Sequence, residues 1–164
     1  MIAQVFALLF AATADIGVVL IKRMQLDSNL AAAGNLALVN SAKVTATDGA
    51  ALASKLSLVA GVDGLPVSAN SRVVVNNGPT LVTTSGVATA SGTASDADRC
   101  YCPTLTSGVV TWGSPTTCRS ACPSGLRAGK FVYVNASRAH TPLFANYGIV
   151  HSGRISATEL VQTE

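Results

Sequence analysis

Side chains able to do chemistry are sparse in this chain of 164 residues: 11 Lys and Arg, 8 Asp and Glu, two His and four Cys. The cysteines fall into two close pairs, Cys100 and Cys102 in CYCP, and Cys118 and Cys122 in CRSAC. Four thiols so placed can close two disulfides in an oxidising compartment, or hold a zinc ion. C-x-C followed by C-x3-C departs from the C-x2-C knuckles of zinc sites, so disulfides are expected. Among the possible pairings we prefer a nested hairpin, Cys102 with Cys118 and Cys100 with Cys122. Each bridge is worth about 2–4 kcal/mol. That matters because residues 85–125 hold few large apolar side chains.

The remaining candidates are weaker. His140 and His151 flank the segment TPLF, but no Cys, Asp or Glu stands at ligand spacing from them, so solvated or capping roles are expected. No phosphate-binding glycine loop, G-x-S-x-G or H-E-x-x-H is present. An enzyme is therefore not expected, nor is a metal or a cofactor. The net charge is +3, and the basic residues are scattered without interleaved aromatics, which argues against nucleic acid as a partner. NAS at 135–137 fits a glycosylation acceptor, but it falls inside a strand-like run and is read as a chance match.

The one charge in an unusual setting is Asp15. Residues 2–21 contain only Gln4, Thr13 and Asp15 as polar members, and Lys22 and Arg23 follow directly. About 20 apolar residues suffice to cross a bilayer. A secretory signal would carry its cations before the run. Lys22 lies roughly 10 Å along the axis from Asp15, too far for direct pairing. A cation from a neighbouring subunit is the expected partner, with a protonated Asp15 as the alternative.

The elements that must position these residues follow from periodicity. The helical pattern continues past Arg23, with Met24, Leu26, Leu30, Ala33, Leu36, Ala37 and Val39 on one stripe, and predicts a helix over about residues 2–45. Such a helix is too long for a head of about 100 residues to cover, so its start must protrude. Ala31, Ala32, Ala33, Gly34 and Ala37 permit close approach of a second helix. Strands are expected at 72–75, 80–84, 108–112, 130–137 and 154–162. NNGP predicts a hairpin between the first two. In the fourth, Val132, Val134 and Ala136 share the face expected to pack on the long helix, opposite Phe131, Tyr133 and Asn135. Leu143, Phe144 and Tyr147 lie on a connection and are expected either in the core or at a subunit contact. The expected class is α+β: an assembly helix over 1–47, then a small disulfide-stapled antiparallel β domain over 48–164.

ADIGVVLIKRMQLDSNLAAAGNLAL, the two-plus-two cysteines and FVYVNASRAHTPLFANYGIVHSGRISATELVQTE together resemble the TadE/TadG-like pilins of tight-adherence pilus systems. The resemblance covers residues 6–47 and 98–164. It implies a subunit taken from the bacterial inner membrane by an assembly machinery and packed with identical copies into an extracellular helical filament. Phe6, Leu9, Phe10, Asp15, Ile16 and Leu20 would then pack between helices, and Asp15, Lys22 and Arg23 would supply polar contacts between subunits. Val5 stands where type IV pilins carry a glutamate, and no basic leader ending in glycine precedes Met1. Either the chain is already processed or leader cleavage does not apply. The alternative is a membrane-anchored minor pilin or tip adhesin that binds through residues 61–130.

Overall fold

A computed structural model describes residues 2–61, 69–142 and 149–164; for Ile2, Val5, Ala7 and Leu8 it describes the backbone alone. Leu143, Phe144 and Tyr147 lie outside the described residues. The first helix, α1, spans Ile2–Val39, and α2 spans Gly49–Gly61. The strands are β1 Ala69–Val75, β2 Thr80–Thr84, β3 Val87–Ser91, β4 Thr104–Thr106, β5 Val109–Thr111, β6 Phe131–Ala139 and β7 Arg154–Gln162. The architecture is α+β, with a long amino-terminal helix, an antiparallel sheet in the order β3-β2-β1-β6-β7, and a separate β4–β5 hairpin.

The 38 residues of α1 run roughly 57 Å at about 1.5 Å per residue. The helix stops short of the expected residue 45 because Asn40 turns its side chain onto the backbone, its amide donating to the Leu36 carbonyl at 2.9 Å. Asn competes in this way with helical hydrogen bonds, and a 3-10 turn at Ser41–Lys43 follows. A second helix then begins where none was expected. The Thr45 hydroxyl accepts the Asp48 N–H at 3.1 Å, satisfying a donor that α2 leaves open at its start.

Both helices pack on one face of the sheet. Val19, Leu26, Leu30, Ala33 and Ala37 of α1 meet Leu52, Leu56 and Ala60 of α2 over Val73, Val75, Val132, Val134, Ala136 and Ile155. The Val face of β6 thus packs on the long helix as expected. Two parts of the expected stripe do not hold. Met24 and Val39 are 70% and 84% exposed, because the buried positions recur at spacings of 7, 4, 3 and 4 from Val19 and turn those two residues outward. Three of the five small residues serve the chain's own packing: Ala33 and Ala37 are buried in the core, and Gly34 lies under the Glu159 carboxylate of β7, while Ala31 and Ala32 are exposed.

The β1–β2 hairpin forms as NNGP predicts. Asn76 and Asn77 hold φ of 49° and 58°, the left-handed pair of a tight hairpin turn. Asn76 is fully buried and joins three parts of the fold. Its backbone N–H donates to the Phe131 carbonyl at 2.8 Å, its Oδ1 accepts the Phe131 N–H at 3.1 Å, and its Nδ2 donates to the Ala97 carbonyl at 2.9 Å.

The cysteines form two disulfides, but not the nested pair. Cys100 bonds Cys118 and Cys102 bonds Cys122, with Cα separations of 5.1 and 5.6 Å. Register explains the correction. Thr104 pairs Thr111, so extending the β4–β5 ladder would set Cys102 opposite Gly113, away from Cys118. Cys100 instead bridges to Thr116, which brings Cys118 beside it, and the turn through Ser120 returns Cys122 to Cys102. The core of this lobe is small: Cys100, Cys122 and Ala128, with Cys102 against them, and the buried Tyr101 set edge-on to Trp112.

Candidate assembly surface

At about 3.6 residues per turn, Phe6, Leu9, Phe10, Ile16 and Leu20 fall on one side of α1, while Asp15, Val19, Lys22 and Leu26 fall roughly opposite. The head covers only the second side. Asp15 is 6% exposed and is the first buried side chain described along α1. Before it the helix stands clear of the head, with Phe6 and Leu9 each 57% and Phe10 73% exposed; Leu20 is 45% exposed and Ile16 half-buried. The Thr13 hydroxyl donates to the carbonyls of Leu9 and Phe10 at 3.1 and 2.9 Å, which satisfies it within the helix. What protrudes is therefore a short apolar tip, not the whole apolar run of residues 2–21.

Asp15 itself faces its own chain. The Lys22 ammonium, which can only donate, donates to His140 Nδ1 at 3.1 Å. The other ring nitrogen, Nε2, faces Asp15 Oδ1 at 3.9 Å. The imidazole so spans the two helical turns that keep Asp15 and Lys22 from meeting directly. His140 is buried, contrary to the expectation of a solvated or capping histidine; His151 is exposed. The reason is that β6 ends beside α1 and carries His140 onto it. Arg23 is placed differently. It pairs with Asp27 at 3.0 Å, both side chains largely exposed, and donates through Nη1 to the Ser156 carbonyl at 2.7 Å, tying α1 to β7.

Among the described residues no helix is long and apolar enough to cross a membrane. The bilayer span expected over residues 2–21 is accordingly not supported by them. That stretch includes Ile2, Val5, Ala7 and Leu8, whose side chains lie outside the description, and it carries the buried Asp15. Among the described residues no group of three or more His, Cys, Asp or Glu could hold a metal ion. The Asn135 amide donates to the Ala157 carbonyl at 3.2 Å and to Thr158 Oγ1 at 2.8 Å, so the nitrogen of the NAS sequence is engaged within the sheet.

Three features of this surface escaped the sequence reading: the bridging role of His140, the seat of Glu159 over Gly34, and the opposite-facing outlook of Asp15 and Phe10. The last was available from helical angle alone. Comparison with protein-family models, curated proteins and solved structures finds no match.

Proposed function

We propose that this chain is a pilin-like structural subunit of an extracellular, type IV-like bacterial filament of the tight-adherence kind. The observation that supports this reading is the tip of α1, where Phe6, Leu9 and Phe10 stand more than half exposed on one side of a helix that its own head leaves uncovered. Covering a large apolar side chain is worth roughly 1.5–3 kcal/mol, so the tip gains most where identical tips pack together. In this reading the tip is held at the inner membrane before the assembly machinery extracts the chain. The disulfide-stapled lobe and the sheet face outward. Asp15, Lys22 and His140 fix α1 on the head, so that each copy presents its tip in the same orientation.

Imaging the purified chain beside a Leu9→Asp, Phe10→Asp variant tests the reading. Fibres from the parent and folded, dispersed heads from the variant are expected. Fibres from both would remove the tip from the assembly contact. A chain found only at the ends of fibres built from another protein would instead make it the minor, adhesive subunit.

A further inference from the structure

The sheet face turned away from the helices carries a site of its own. Arg72 of β1 stands opposite Asn135 of β6, Asn135 stands opposite Thr158 of β7, and one row along Ser137 stands opposite Ser156. Alternation puts these residues on the outer face, since their neighbours Val73, Val134, Ala136 and Ala157 belong to the helix-side core. A Ser-Gly turn walls one end, and His151 and Arg154, joined by a second, wall the other. Ser107 and Gly108, with φ of 50° and 78°, fold the β4–β5 hairpin over the sheet, where the Tyr133 hydroxyl donates to the Gly108 carbonyl at 2.8 Å. Ser152 and Gly153, with φ of 51° and 71°, close the bridge from His151 to Arg154 at the other end. Between them lies a cleft of about 400 Å³.

Its charge is one-sided. Arg72, Arg154 and His151 line the cleft, and among the described residues no Asp or Glu does. Arg154 is held in place at the wall of the cleft, its Nε donating to Ser137 Oγ at 3.1 Å and its Nη2 to the Ser137 carbonyl at 3.2 Å. The Arg72 guanidinium and the His151 ring make no hydrogen bond or ion pair with the described residues. Burial raises the Tyr133 pKa above its usual value, with the positive charge of Arg72 pulling the other way, so the phenol stays neutral and keeps its bond to Gly108. Asn135 commits its nitrogen to β7 and keeps its carbonyl oxygen as an acceptor. Ser107 and Ser156 also line the wall.

An apolar ligand would leave this lining desolvated and unpaired, at a cost in free energy. A small ligand carrying an oxyanion would meet guanidinium groups suited to carboxylate or sulfate. The row of hydroxyl and amide groups between them calls for a partner that is itself rich in hydroxyls. The volume falls in the range of small-molecule sites. We propose that the cleft binds an acidic saccharide, its carboxylate or sulfate against Arg72 and Arg154 and its hydroxyls against Asn135 and Ser156. This site is independent of how the chain assembles, because it lies on the sheet face opposite α1.

The test is calorimetric titration of the intact chain in detergent, at low salt, with glucuronate, glucose 6-sulfate, glucose and sodium sulfate. At least one acidic sugar is expected to bind at least about tenfold more tightly than glucose and than inorganic sulfate. The tighter of the two acidic sugars identifies the oxyanion. Arg72→Gln, at an exposed position without bonds to the described residues, should weaken that binding at least about tenfold with thermal unfolding unchanged. Ser156→Asp, which sets a carboxylate in the cleft, should abolish it. Sulfate binding as tightly as both sugars would overturn the saccharide, as would the absence of binding by either sugar or an Arg72→Gln variant that binds like the parent.

Discussion

Lys22 Nζ lies 3.1 Å from Nδ1 of His140, a residue 118 positions away, and the far nitrogen of the same ring faces Asp15. The ring therefore carries an interaction between two charges on α1 that helical geometry holds apart. It also clamps the end of β6 to the helix. His140→Phe keeps an aromatic ring but removes both nitrogens, leaving a buried carboxylate beside an apolar group. A loss of about 1–3 kcal/mol is expected, read as a lower urea midpoint. A double-mutant cycle with Lys22→Met should show coupling, because the two residues share one hydrogen bond.

Asn76 is the next test of a buried polar hub. Asn76→Asp keeps the size and tolerates the left-handed φ of 49°. It replaces the donor to the Ala97 carbonyl by an acceptor. The variant should lose about 2–3 kcal/mol in urea unfolding. Asn76→Gly, which also fits the turn, should lose comparable stability if the side-chain bonds are the cause and almost none if the turn alone matters.

The disulfide lobe depends on its bridges, since few side chains besides the cysteines, Ala128 and Tyr101 are buried in it. Proteolytic mapping of the unreduced chain should yield peptides linking Cys100 to Cys118 and Cys102 to Cys122. Replacing Cys102 and Cys122 by Ala should lower stability by about 2–4 kcal/mol. Amide exchange should rise across residues 99–129 while β6 and β7 stay protected.

Glu159 gives a pH dependence of known sign. Burial lifts its pKa above the ordinary 4.5, so the folded chain holds the proton more tightly than the unfolded chain. Its contribution is full below about pH 4.5 and is lost as pH rises through the folded-state value. Glu159→Gln should flatten that fall in a series of unfolding curves and leave the variant the more stable at neutral pH. An unchanged pH profile would show that the carboxyl on Gly34 is as well solvated as in the unfolded chain.

What the sequence discloses divides along physical lines. β6 and β7 were legible because strict alternation separates Val132, Val134 and Ala136 from Tyr133 and Asn135. The β1–β2 hairpin was legible because Asn-Asn-Gly tolerates positive φ. α2 was missed although Thr45-Ala-Thr-Asp48 is a capping signal, its Ala and Ser content masking the short apolar stripe. β3 is exposed along its whole length and so shows no alternation to find. The Ser-Gly pairs at 85–86, 107–108 and 152–153 all adopt left-handed turns and were readable as turn dipeptides. The disulfide pairing and the seat of His140 depend on tertiary register, which no local pattern encodes.

Filament assembly requires the tip of α1 to be covered by other copies of the chain. Hydroxyl-radical footprinting of the intact assembly reads this directly at Phe6 and Phe10, with the exposed Leu126 of the lobe as a reference. Strong protection of both phenylalanines on assembly is expected, with little change at Leu126. Labelling of Phe6 and Phe10 at the same rate in assembled and dispersed chains would contradict it.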